Sequence, residues 1–290
     1  PPPTVLGRTT LYINYDNQQS LFVQAISTPN TTIVLADGLN LDLSGYDKLH
    51  IARGVHILGH RSPTFLGGRL YTTSKPSHLF EIHGDYDEAD GIRIYGIRID
   101  GGLTGVSDDD PKSNGLLIVS ATNVEVGNCE INGWSGTAVS VQDRDNVDGD
   151  RLSLRNPTSV WVHDNYIHHN RHWREEGYGV QSTHGAYVLI ERNVFDYNRH
   201  ALEAGGNPGT GYLAYNNLLL GNGGENSDYA FLPETWTHEF DVHGTQSGPL
   251  GEDAYAGPAG EFFEYRNNTL LYAKHTPLKV RGYPSVGAYV

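Results

Sequence analysis

The chain has no methionine and a single cysteine, Cys129, in 290 residues. One thiol excludes an internal disulfide and any cysteine-based zinc site. Cys129 falls at a place otherwise taken by apolar or amide side chains, so it reads as a buried thiol and not a nucleophile. No apolar run approaches a membrane span, and the N-terminus is not a signal peptide. Basic residues are scarce: 20 Lys and Arg stand against 34 Asp and Glu, a formal net charge of −14. That balance argues against nucleic acid, whose binding rests on clustered cations facing phosphates. No phosphate-cradling glycine loop joins a strand to a helix, so nucleotide binding has no support either. The opening Pro-Pro-Pro and the missing methionine read as a processed chain, and secretion to the extracellular space is the expectation.

Present instead are 35 glycines and a repeat. Segments beginning at Val124 (VEVGNCEI), Val160 (VWVHDNYI), Val188 (VLIERNVF), Tyr212 (YLAYNNLL) and Phe263 (FEYRNNTL) superpose with apolar alternation in register. Their sixth places are Cys129, Asn165, Asn193, Asn217 and Asn268, and an earlier segment from Ile92 places Ile97 there. The steps from Ile97 onward are 32, 36, 28, 24 and 51 residues. A period in the twenties, lengthened by insertions, marks a solenoid whose repeats bury their apolar faces only against their neighbours. Stacked inward amides satisfy one another and the backbone, so the asparagines are structural.

The predicted architecture is all-β: a right-handed parallel β-helix in one domain, residues 1–290, with an N-terminal cap. Residues 16–26 read as the capping helix, with Asp16 as N-cap and Leu21, Phe22, Ala25 and Ile26 as the apolar stripe. Thr31–Leu35 opens the first coil, followed by pulses at 41–43, 49–51 and 55–58 that are too short and too β-branched for helices. Residues 102–114 form a polar loop. Residues 223–260 form a long inserted loop that folds over one flank. The coil pattern with its asparagine ladder resembles the parallel β-helix superfamily of pectate-lyase-like proteins over about residues 30–285. That resemblance implies the fold. For function it implies only a choice among polysaccharide lyases, glycoside hydrolases, uronate epimerases and non-catalytic fibres, so the site must decide.

Strand alternation turns the repeat into a surface map. Second strands are expected at 137–141, 178–182, 200–204 and 276–280. Their outward columns are Thr137, Tyr178, His200 and Thr276; then Ser140, Gln181, Glu203 and Lys279; then Gln142, Thr183, Gly205 and Arg281. Asn170-Arg171-His172 and Asn198-Arg199-His200 repeat at corresponding corners, and the first copy carries an insert from His172 to Gly177 that projects over this face.

Elimination from a uronic-acid polymer needs a base for the C5 proton, an acid for the leaving oxygen and a cation or donor on the carboxylate. Tyr178 and His200 are the expected base and acid. Arg171, Arg174 and Arg199 are the expected carboxylate partners, with Arg281 as a further one, while Glu203 and Gln181 orient them or the sugar. His172, Trp173, Arg174, Gln181, His184, Lys279 and Arg281 are expected to line the substrate path. Residues 163–200 hold 4 Arg and 6 His against 5 acids, a less acidic stretch suited to a polyanion. Hydrolysis is the competing chemistry and would pair Glu203 with Glu175, Glu176 or Asp143. A non-catalytic glycan-binding or fibre module is the third reading.

Metal ligation is left open. Asp108, Asp109 and Asp110, and the run Asp143, Asp145, Asp148 and Asp150, offer carboxylates for Ca²⁺, but neither has calcium-loop spacing and both read as solvated turns. His168 and His169, with His163 or Asp164, form a weak metal pair because adjacent strand residues point to opposite faces.

Overall fold

The computed structural model describes residues 8–84, 91–102, 111–143, 159–172, 176–224, 237–245 and 256–290. Among these, three parallel sheets run the length of the molecule, of ten, eight and eight strands. The chain visits first, second and third sheet in turn, so each circuit is one coil and sequential coils stack roughly 4.8 Å apart.

The register follows the repeat. Val124 pairs with Ile92 and Val160, Val188 with Tyr212, and Tyr212 with Phe263. Along the inward row Ile94, Val126, Val162, Ile190, Ala214 and Tyr265 are all buried. Each aliphatic side chain so covered contributes about 1.5–3 kcal/mol relative to exposure.

After each first-sheet strand from Ile92–Tyr95 to Phe262–Arg266 one residue takes left-handed backbone to turn the corner: Gly96, Asn128, Asp164, Arg192, Asn216 and Asn267. The ladder residue comes next. Asn165 Nδ2 donates to Val126 O and to Asn193 Oδ1, each at 2.9 Å, and the Asn165 backbone N–H reaches the same Asn193 oxygen at 3.0 Å. Asn193 repeats this with Asn217, and Asn217 with Asn268. A second ladder stands at the next corner, where Asn170 Nδ2 donates to Asn198 Oδ1 at 2.8 Å and Asn170 Oδ1 accepts from the Trp134 N–H at 3.0 Å.

The N-terminal helix spans Gln19–Ile26 and buries Phe22, Ala25 and Ile26. Two expectations fail here. Asp16 does not cap it: its carboxylate accepts from the Asn40 N–H at 2.7 Å, while the Gln18 side chain accepts from the N–H groups of Asn14 and Tyr15. Leu21 is 36% exposed and lies off the buried stripe. The first sheet also begins one strand before Thr31–Leu35, because Thr9–Ile13 pairs with it in parallel.

The excursion at 223–260 is not wholly an inserted loop. Phe240–Val242 is a third-sheet strand between His200–Ala204 and Leu278–Val280. The apolar outer residues of Phe240-Asp241-Val242 face the core, and that requirement draws the triplet into the stack. Phe231, Trp236 and Tyr255, within residues 223–260, lie outside the described residues, as do Asp108, Asp109, Asp110, Asp145, Asp148 and Asp150.

Candidate active site

The third sheet places Tyr178 beside His200 and Gln181 beside Glu203, as the tripeptide repeat requires. The next neighbours differ from the expected columns. Glu203 pairs with Asp241, and only Asp241 pairs with Lys279. The outward row is therefore Ser140, Gln181, Glu203, Asp241, Lys279. Beside it His243, rather than Gly205, precedes Arg281. Likewise His238, not Thr276, follows His200: the rings of Tyr178, His200 and His238 stack, with centroids 5.4 Å and then 6.4 Å apart.

Asp241 is the hub of this face. Arg281 Nε donates to its Oδ1 at 3.0 Å and Arg281 Nη2 contacts its Oδ2. His243 Nε2 lies 2.6 Å from Oδ2, and His200 Nε2 lies 3.4 Å from the same oxygen. Burial opposes the charge on Asp241. The hydrogen bond with His243 and the neighbouring His200, His243 and Arg281 outweigh it and hold the carboxyl well below its ordinary range.

Glu203 goes the other way. Burial pushes its carboxyl up to about 7, against the opposing influence of His243 and a hydrogen bond from Gln181. Its Oε2 is buried without a hydrogen-bond partner among the described residues. Gln181 is itself fixed, accepting from Ser140 Oγ at 3.1 Å.

His200 is completely buried. Its Nδ1 lies against the carbonyl oxygen of His238, and a carbonyl only accepts, so Nδ1 carries the proton. Burial, with the Arg199 charge, drives its basicity well down. Burial also raises the Tyr178 hydroxyl, opposed by Arg199, whose Nη1 stands 3.5 Å from that oxygen.

The remaining expected residues are scattered. Arg171 is half-buried and its N–H donates to Trp134 O, whereas His172 is buried. Trp173, Arg174 and Glu175 lie outside the described residues. Glu176 pairs with Lys112. Asp143 is buried and accepts from Ser120 Oγ at 3.2 Å, a corner setting that the alternation of one strand does not describe. His184 is half-buried in a left-handed turn, with Nδ1 2.9 Å from Thr183 Oγ1.

His168 and His169 do not diverge: their Nδ1 atoms are 2.7 Å apart, because His169 has left the strand for left-handed backbone. Only three residues combine as metal donors among the described residues, His200, Asp241 and His243, with donor atoms within 4.8 Å of one another. Sequence reasoning missed Asp241 and His243. The usable signal was a repeated triplet: Leu202-Glu203-Ala204, Phe240-Asp241-Val242 and Leu278-Lys279-Val280 share apolar, charged, apolar order.

A family model described as right handed beta helix region matches residues 82–225. Together with three parallel sheets wound coil on coil, that decides the architecture. The chain is a right-handed parallel β-helix. Among solved structures this β-helix is similar to an alginate lyase from Paenibacillus sp. str. FPU-7, with 14% identity over 97% of each chain and a TM-score of 0.42. No curated protein matches it. No helix among the described residues of the β-helix is long and apolar enough to cross a membrane.

Proposed function

We propose that this protein is a polysaccharide lyase that cleaves an acidic, uronic-acid-containing glycan by β-elimination. The observation that carries the reading is one outward row in which Glu203, buried with one carboxylate oxygen that has no partner among the described residues, lies between Gln181 and Asp241, with Tyr178 on one side and Lys279 and Arg281 on the other.

Glu203 acts as the base. Its carboxylate takes the C5 proton, the electron pair forms the C4–C5 double bond, and the C4–O4 bond breaks. Tyr178, kept as a phenol by burial, donates its proton to the departing O4. Lys279 neutralises the uronate carboxylate that makes C5–H acidic, with Arg199 beside Tyr178. A base with a pKa near the working pH combines availability with driving force, which suits the raised carboxyl of Glu203. His200 is enclosed and serves as support rather than as the proton carrier. An extracellular setting follows from this substrate class and is part of the proposal.

Hydrolysis is the second reading, favoured by the opposite pKa shifts of adjacent Glu203 and Asp241. Elimination is preferred because both oxygens of Asp241 are engaged by Arg281. The test is incubation with a panel of uronate and neutral polysaccharides, following ultraviolet absorbance of unsaturated uronyl ends together with reducing ends. Elimination raises both. Reducing ends without absorbance mean hydrolysis, C5 inversion without cleavage means epimerisation, and retention of glycan without any of these means a binding module.

A further inference from the structure

We infer that His200, Asp241 and His243 form a binding site for a divalent transition-metal ion of the Zn²⁺ class. His200 Nδ1 must donate to the His238 carbonyl, so in the neutral imidazole Nε2 carries a lone pair. That lone pair has no hydrogen-bond donor among the described residues, is wholly buried, and lies 3.4 Å from Asp241 Oδ2, which is also an acceptor. His243 Nε2 lies 2.6 Å from the same oxygen. Potential metal-ligand atoms on three side chains therefore converge within 4.8 Å of one another.

Arg281 does not resolve this. Its guanidinium contacts both Asp241 and His243 Nε2 but does not satisfy His200 Nε2. If His243 Nε2 holds a proton for Asp241, it meets Arg281 donor to donor. If it does not, it faces Asp241 acceptor to acceptor. A metal ion accepts all three donor atoms at once.

The supporting shell fits as well. A metal-bound imidazole characteristically gives its other N–H to a backbone carbonyl or carboxylate, as His200 does to His238. Asp241 lies in the strand Phe240–Val242 and His243 follows just past its end, where its ring turns back to Asp241 Oδ2, while His200 comes from the adjacent coil. Two imidazoles and one carboxylate select a transition metal over Ca²⁺, which prefers six to eight oxygen ligands. His243 and Arg281 are partly exposed, with side chains 25% and 17% accessible, so an ion can enter from that side as Arg281 swings away. Metal on Asp241 would release Arg281 toward a substrate carboxylate. That consequence alone rests on the elimination reading.

The experiment titrates the chelator-treated full chain with Zn²⁺ by calorimetry, checks stoichiometry by elemental analysis, and records the visible spectrum with Co²⁺. The expected result is one ion per chain, displaced by excess Zn²⁺ and not by Ca²⁺. His243→Gln and His200→Gln should each weaken binding at least tenfold, while Arg281→Ala should bind as tightly or more tightly. Circular dichroism and melting establish that each variant is folded, and partly exposed His243 is the variant that tests the site if His200→Gln does not fold. Absence of a stoichiometric ion in both the parent and Arg281→Ala would overturn the site, as would binding insensitive to folded His243→Gln. No substrate enters this measurement, so its outcome is separate from that of the glycan assay.

Discussion

Asp241 is the register partner of Glu203 one coil away, and the fold drives their carboxyl groups in opposite directions. Asp241 is surrounded by Arg281, His200 and His243 and stays ionised. Glu203 is buried with one oxygen unpaired among the described residues and holds its proton to about 7. Neighbouring acids with separated pKa values are a usual basis for dividing chemical roles.

Glu203→Gln should lower the rate of elimination by about 10²- to 10⁴-fold, the usual range for loss of a general base, with the melting temperature unchanged or raised. The parent rate should rise with pH and level off above about 7, because the base must be deprotonated and burial raises its pKa to that value. A pH–rate profile of uronyl absorbance checks both, and an unchanged profile in the variant would remove Glu203 from the reaction.

Tyr178→Phe keeps the ring stacked on His200 but removes the hydroxyl beside Arg199. Turnover should fall by about 10²-fold or more, while stability changes by less than about 1 kcal/mol. Steady-state kinetics with a calorimetric melt separates the two, since loss of packing alone would lower both together.

Asn193 is the middle of the ladder. Its Oδ1 accepts from the backbone and side-chain N–H groups of Asn165, and its Nδ2 donates to Val162 O at 2.9 Å. Asn193→Leu leaves buried donors and an acceptor unpaired, each costing about 1–3 kcal/mol. The urea midpoint should drop with little change in slope, and an unchanged midpoint would mean that the coils are held by apolar packing alone.

Cys129 sits at the ladder's upstream end, with Sγ 3.7 Å from Ile94 O, the position that Asn165 Nδ2 takes toward Val126 O in the next coil. Cys129→Asn should therefore be accepted and raise stability by about 1 kcal/mol. Burial pushes the thiol up to about 11, from 9.0, so the folded state keeps its proton to higher pH than the unfolded state. Stability should fall as pH rises from about 9 through about 11, and less steeply in the variant. Melting curves across that range provide the check, together with resistance of the thiol to alkylation until the protein unfolds.

Much of the site's frame was legible in the chain. The paired Asn-Arg-His tripeptides put Tyr178 against His200 and Gln181 against Glu203, because a parallel coil repeats its register wherever its corner residues repeat. Asp241 and His243 were not legible in this way. The strand that carries Asp241 and ends just before His243 is three residues long and begins 38 residues after Leu202, its partner, inside a glycine-rich excursion whose length hides the return to the stack. The adjacent histidines 168 and 169 misled for a related reason: alternation holds only within a strand, and His169 is already in a corner.

The sequence by itself determined the architecture and phase of the coils, since alternation, corner residues and ladder asparagines are local requirements repeated at short range. The tertiary structure alone decided which charges meet. Asp241 lies between Glu203 and Lys279, Arg281 closes on Asp241, and His200 loses its contact with solvent. Those outcomes depend on where a long excursion rejoins the stack and on what then covers the face, and neither is encoded in local periodicity.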